Sequence, residues 1–205
     1  MKILILSNQA RSMSNFWSVL IRRLRAAGHA VVCCAPPGDA AAEAALRALG
    51  ARVVTYPLDR KGLNPLRDAA SFFALLRIFR GEKPDLLFAT TIKPVSYGCL
   101  AARMAGVPRI YATITGLGYA FEADTLFKKC VNRLGVALYR LALSGASGVF
   151  FQNEDDIRVF REQGILGPGA RVFLTRGGTG VDTERFSPEP YPPLPPAGPV
   201  VVLLV

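Results

Sequence analysis

Histidine is almost missing from this chain: His29 is the only one in 205 residues. Zinc centres and Ser-His-Asp triads both draw on imidazole, so neither has much support here. His29 itself sits in Ala27-Gly28-His29-Ala30, which reads as a turn between a helix and a strand, a structural place. Cysteine is sparse and wrongly spaced for chemistry. Cys33, Cys34, Cys99 and Cys130 never form C-x-x-C. In apolar company they read as small buried hydrophobes in a reducing compartment, not a metal site or a disulfide set. No uncharged apolar stretch approaches the roughly 20 residues that cross a bilayer. The short apolar run of Met1–Gln9 meets polar residues at once, unlike a secretory signal. Acid is scarce beside base, 15 Asp+Glu against 25 Lys+Arg, for a net charge of +10. That balance favours an anionic partner: a phosphorylated ligand, an anionic membrane face or nucleic acid. The basic residues are scattered without interleaved aromatics, which counts against nucleic acid.

What is present is a core-forming composition, 51% hydrophobic and 20% charged, sufficient for one α/β domain. Short apolar segments alternate with helical patterns. Ile3–Leu6, Val31–Cys34, Val53–Tyr56, Leu86–Ala89, Ile110–Thr113, Val149–Phe151 and Val172–Leu174 read as strands. Asn15–Ala27, Ala40–Leu49, Pro65–Arg80, Val95–Ala105, Asp124–Ser144 and Glu154–Gln163 read as helices. This alternation predicts an α/β fold with a doubly wound parallel sheet, Rossmann-like, with ligand loops at the carboxyl ends of the strands. Residues 1–186 are expected to form that domain, 187–199 a proline-rich linker, and 200–205 the first strand of a second, missing domain.

Four loops could carry chemistry. The first, Ser7–Asn15, lacks glycine and is not G-x-G-x-x-G, so a dinucleotide site of the NAD type is not expected. Ser14 is its expected helix N-cap, and its small polar side chains could hold a hydroxyl or phosphate. Thr90-Thr91-Ile92-Lys93-Pro94 puts a lysine beside a helix start, where an anion would be favoured. Thr113–Phe121 is apolar with two glycines, and exposed Leu117, Tyr119 and Phe121 would suit a lipid or sugar. Arg176–Phe186 holds Gly177, Gly178 and Gly180 followed by Asp182, a hinge-like turn.

These motifs resemble a known family. Gly180-Val181-Asp182 with Phe186, then a proline-rich link and a new strand, resembles the domain junction of GT-B glycosyltransferases of family 4. Thr91-Ile92-Lys93-Pro94, Ile114-Thr115-Gly116-Leu117-Gly118-Tyr119 and Phe151-Gln152-Asn153 are similar to the subgroup that builds lipid-linked oligosaccharide, capsule and O-antigen. The resemblance implies two Rossmann-like domains facing across a cleft, this chain being the N-terminal, acceptor-side one. It implies a retaining transfer from a nucleotide sugar, a UDP-sugar held mainly by the other domain, with no cofactor and no bound metal. The fragment alone is then expected to be inactive. The acceptor residues it implies are Ser14, Asn15, Phe16, Lys93, Thr115, Gly116, Leu117, Gly118, Tyr119 and Asn153. Gly178, Gly180, Val181 and Asp182 would line the hinge and cleft. No catalytic residue is assigned. Glu154 and Glu162 match the spacing of the family's donor-side glutamate pair but fall on the wrong domain, where Asn153 and the acidic first turn read as helix capping.

Two helices bear on location. Phe72, Phe73, Leu76 and Phe79 share an apolar face with Arg67, Arg77 and Arg80 nearby. In the long helix, Phe127, Val131, Leu134, Leu138 and Leu141 form one face, and Lys129, Arg133 and Arg140 lie near another. Core packing is the default expectation, and a surface resting on anionic lipid is the alternative. A polyprenyl-linked acceptor would require that placement, at the cytoplasmic face of the plasma membrane. The competing readings are a non-catalytic sugar-, nucleotide- or membrane-binding module, the recruiting subunit of a two-chain transferase, and half of a GT-B sugar epimerase.

Overall fold

The computed structural model describes residues 1–60, 62, 64–116, 126–175, 178–180, 182–184 and 187. Seven strands form one sheet in the order β3-β2-β1-β4-β5-β6-β7. They are β1 (Lys2–Leu6), β2 (Ala30–Ala35), β3 (Arg52–Thr55), β4 (Leu86–Thr90), β5 (Arg109–Ile114), β6 (Gly148–Phe151) and β7 (Val172–Leu174). Every pairing is parallel. Their near-continuous apolar sequences suit strands covered on both faces. The helices are α1 (Ala10–Phe16), α2 (Ser18–Ala26), α3 (Ala40–Ala48), α4 (Pro65–Glu82), α5 (Cys99–Met104), α6 (Leu126–Leu143) and α7 (Glu154–Glu162). A π-helical turn, Pro94–Gly98, leads into α5. Residues 188–205, expected to hold most of the linker and the extra strand, lie outside the described residues.

Alternation along each strand splits the core in two. Leu4, Leu6, Leu87, Ala89, Ala112 and Phe151 point to one face, packed against α4 to α7. Ile3, Ile5, Val31 and Cys33 point to the other, packed against α1 to α3. Gly98 is needed for the first packing. A Cβ there would overlap a Leu6 side-chain methyl, so only glycine lets the π-turn lie this close to β1.

Local signals set most helix ends. Asn64 accepts from the amides of Leu66 and Arg67 at 3.0 and 3.4 Å, with Pro65 in the first turn of α4. Asp39 accepts from Ala42 N–H at 3.1 Å at the start of α3. One expectation fails at the N-terminus. The first helix starts at Ala10, not Asn15, and breaks at Trp17. Ser14 is therefore not the N-cap of a helix: it is buried within α1, and its hydroxyl donates to the Arg11 carbonyl at 3.0 Å. The cause is tertiary. Ala10 and Met13 fill the core, and Trp17 sets its ring edge-on to Phe88 with centroids 5.1 Å apart.

The long helix also differs from expectation. Its buried side is Val136, Tyr139, Ala142 and Leu143, while Leu134 and Leu141 of the expected core face are 71% and 53% exposed. In α4 the expected apolar face divides: Leu76 and Phe79 are buried, Phe73 is exposed. The side chains of Phe127, Lys129, Cys130 and Val131 are not among those described.

Candidate functional site at the carboxyl rim of the sheet

The strand order reverses between β1 and β4, since β2 and β3 lie to one side and β5 to β7 to the other. A doubly wound sheet opens its crevice at such a switch point, outside the carboxyl ends of the strands. The loops after β1 and β4 meet there. Two side chains fix the exit of β1: Tyr56 Oη donates to the Ser7 carbonyl at 3.1 Å and Thr90 Oγ1 to the Leu6 carbonyl at 3.3 Å.

A cavity of about 290 Å³ opens at this point, lined by Asn8, Arg60, Thr91, Lys93, Thr115 and Gly116 among others. That is near the small end of the range for small-ligand sites. Lys93, Thr115 and Gly116 are thus brought together. The geometry of Lys93 is not that of a loop-end lysine turned to solvent. Its ammonium donates to the Asp59 carbonyl at 2.8 Å, the Gly62 carbonyl at 2.7 Å and Asp68 Oδ1 at 2.6 Å. Three donors meet three acceptors, and the charge is neutralised by Asp68. Tyr97 donates to the other Asp68 oxygen at 2.9 Å. Burial, and then that bond to Asp68, push the Tyr97 phenol up, so it stays protonated. Asp59 accepts from the Gly62 amide at 2.9 Å and from Arg67 at 3.1 Å, and both hold its carboxyl below the usual carboxylate range, the amide first. This network ties the β3–α4 connection to the loop after β4. Nothing at Lys93 in the sequence foretold it, because Asp59 and Asp68 lie on a different loop and helix.

Thr91 carries the backbone strain of the rim. Its φ is +73°, in the left-handed region that a β-branched residue avoids. Its Oγ1 is buried without a hydrogen-bond partner among the described residues. The π-helical turn begins three residues later, a feature that recurs beside binding sites.

Asn15 and Phe16 belong to a second, separate groove of about 370 Å³, with Trp17, Arg23, Gly180 and Asp182. Here the hinge candidates do meet the first-loop candidates. Gly178 and Gly180 have φ of +81° and +80°, a geometry that glycine adopts without strain. Asp182 is buried and accepts from Arg22 Nη2 at 2.7 Å, so the hinge segment is pinned to α2. Arg22 was legible only as one basic residue among many. Asn153 stands apart from both clusters. Its Oδ1 accepts from the Asp156 amide at 2.7 Å and caps α7, with Glu154, Asp155 and Asp156 in the first turn. The capping account of Glu154 stands on that geometry. Leu117, Gly118, Tyr119, Phe121, Val181 and Phe186 lie outside the described residues.

A third hollow, about 450 Å³ and apolar, lies on the sheet face that α1 to α3 cover incompletely, between Trp17, Leu20, Leu24, Phe88, Tyr111 and Phe150. Among the described residues no group of three or more His, Cys, Asp or Glu is placed to hold a metal ion. No described helix is long and apolar enough to cross a membrane.

Comparison with known proteins agrees with this architecture. Over 189 residues the chain is 30% identical to the N,N'-diacetylbacillosaminyl-diphospho-undecaprenol alpha-1,3-N-acetylgalactosaminyltransferase of Campylobacter jejuni, covering 92% of this chain and 49% of that protein. Over 137 residues it is 25% identical to the UDP-Gal:alpha-D-GlcNAc-diphosphoundecaprenol alpha-1,3-galactosyltransferase of Escherichia coli, covering 67% of this chain and 34% of that one. The chain spans about half the length of the first relative and about a third of the second. Among solved structures, sucrose-phosphate synthase from Thermosynechococcus elongatus superposes with a TM-score of 0.62 at 11% identity, over 86% of this chain and 48% of that one. At that identity the likeness speaks for the fold, a Rossmann-like lobe of GT-B type. The glycosyl transferase 4-like domain matches residues 13–178. Those residues run from α1 to the turn after β7 and build nearly all of the sheet and its rim, and the chain belongs to the glycosyl transferase 4-like family.

Proposed function

We propose that this chain is the acceptor-binding lobe of a retaining glycosyltransferase that moves a sugar from a nucleotide-sugar donor, a UDP-sugar, to a polyprenyl-diphosphate-linked glycan. A second lobe would hold the donor, and the chain alone would bind acceptor without turnover. The observation that carries the reading is the cavity at the switch point of the sheet, which gathers Asn8, Arg60, Thr91, Lys93 and Thr115, in a family whose two relatives above bear names built on diphospho-undecaprenol. Catalysis would rest on alignment and electrostatics across the cleft, with no metal and no covalent intermediate on this lobe.

The direct test is binding and turnover by the 205-residue chain with a panel of nucleotide sugars and a short-chain prenyl-diphosphate glycan. Affinity for the lipid-linked glycan with no sugar transfer is expected. Transfer by this chain alone, or affinity for nucleotide sugar only, overturns the reading.

We further propose that the lobe rests on the anionic cytoplasmic face of the membrane through the outer side of α6. Exposed Leu134 and Leu141, one heptad apart, would enter the headgroup region, with exposed Arg133 beside them. Co-sedimentation with vesicles rich in anionic lipid should be lost in Leu134→Glu/Leu141→Glu. Absence of pelleting by the wild-type chain at every lipid charge overturns it.

A further inference from the structure

The charges around the carboxyl rim cancel in pairs. Asp39 meets Arg11 at 2.9 Å, Asp59 meets Arg67 at 3.1 Å, and Asp68 meets Lys93 at 2.6 Å. Arg60 stands among these pairs on the β3–α4 connection and has no carboxylate partner among the described residues. Its guanidinium rests against the Gln9 side-chain amide, whose oxygen is the one atom of that group able to accept from it. Arg60 is exposed and borders both the cavity of Thr91, Lys93 and Gly116 and the adjoining one of about 380 Å³ bounded by Gln9, Pro37 and Asp39. A neutral amide oxygen leaves the charge of a guanidinium uncompensated and most of its five donors unused.

Two further observations fall on the same cavity. Thr91 lines it with a left-handed backbone and a buried hydroxyl that has no hydrogen-bond partner among the described residues. Strain of that kind gathers where a ligand is clamped, and an orphaned buried hydroxyl is a donor in want of an acceptor. Lys93, the residue that the loop sequence nominates for an anion, is saturated by Asp68 and two carbonyls. Its part is to position the β3–α4 connection that carries Arg60.

We propose that Arg60 is the anion-binding residue of this rim, and that with Thr91 it takes the diphosphate of a diphosphate ester. A planar guanidinium matches two phosphate oxygens at once, which a lysine ammonium cannot. For the ester's identity, a prenyl diphosphate and not a nucleotide, the inference rests on the acceptor-lobe reading. The unpaired charge of Arg60 is the same for either ester.

The test is calorimetric titration of the 205-residue chain with farnesyl diphosphate and, separately, with UDP. The variants are Arg60→Gln, Arg60→Lys and, as a control on a surface arginine elsewhere, Arg77→Gln. Farnesyl diphosphate is expected to bind at least tenfold more weakly to Arg60→Gln, with partial recovery in Arg60→Lys and less than a twofold change in Arg77→Gln. Farnesyl diphosphate binding equally to wild type and Arg60→Gln overturns the assignment and leaves the acceptor-lobe reading standing. Arg60-dependent binding of UDP alone keeps the diphosphate site and overturns the acceptor reading. No binding of either probe to wild type overturns both.

Discussion

The two faces of the sheet are built from the same strands yet are packed differently. On the side of α4 to α7, the inward residues of β1, β2, β4, β5 and β6 are buried, and Phe79, Phe151 and Phe160 are fully buried. On the other side α1 to α3 close over β1 to β3 and reach β4 only in part, through Trp17 on Phe88. Beyond them the residues in register are aromatic. Phe88 and Phe150 meet at 6.0 Å, Phe150 and Phe173 stack at 4.8 Å, and none of these rings is fully buried. Large rings thus do on the second face what helices do on the first: they shield β4 to β7 with side chains from the strands themselves. A closed face commits its residues to stability, whereas an open apolar face stays available to whatever else the protein contacts.

The sharpest way to break this comparison is truncation. Phe160→Ala, on the closed face, should cost about 3–5 kcal/mol by urea unfolding, because a full ring is removed from a site that cannot collapse. Phe150→Ala, on the open face, should cost only about 1–2 kcal/mol, since part of its ring already meets water. Equal costs would show the faces to be packed alike. Next is overpacking at the closed face. Gly98→Val drives a side chain into Leu6 and should destabilise by about 1–3 kcal/mol, and no loss in melting temperature would contradict the close approach of the π-turn to β1. A smaller effect is chemical. Burial pushes the Cys33 and Cys99 thiols up to about 12 and the Cys34 thiol higher still. All three should resist iodoacetamide at pH 8 and react in urea, with sites read by mass spectrometry. Labelling of native Cys33 alone would mean that α1 to α3 leave their half of the second face open too.

The smallest effect belongs to the rim where the two faces meet. Asp59 is held below its ordinary value by the Gly62 amide and Arg67. Its folded pKa is lowered, so its contribution is complete above about pH 4 and is lost as pH falls through the lowered value. Asp59→Asn should therefore lower the urea midpoint slightly and equally from pH 8 to pH 5. The gap should close on further acidification, and a gap that widened in acid would contradict the assigned bonds.

The elements were legible because their signals are local. Apolar strands of three to six residues, Pro65 after Asn64, and Asn153 before an acidic turn each specify a backbone state with their own atoms. The helix α1 was not legible. Ser14 offers a capping hydroxyl as good as any, and only the burial of Met13 and the Trp17–Phe88 contact, across about 70 residues of chain, move the start to Ala10. In α6 apolar residues run most of the way round the helix. Periodicity found a stripe in Leu134, Leu138 and Leu141 but could not say that Val136, Tyr139 and Leu143 would face the sheet instead.

The candidate site divides in the same way. Membership of the rim follows from chain order, because loops after parallel strands emerge on one side of the sheet, so Lys93, Thr115 and Gly116 could be grouped from sequence. The electrical state of that rim could not. Asp68 and the Asp59 and Gly62 carbonyls reach Lys93 only when α4 and the β3–α4 connection pack against the loop after β4. Arg60 is left as the uncompensated charge by pairings that form only in three dimensions. Sequence alone determined the α/β alternation, the parallel sheet and its family, since these depend on periodicities of a few residues. Tertiary structure alone decided which side chains are spent on one another and which remain for a ligand, because salt bridges and burial join residues that chain order keeps apart.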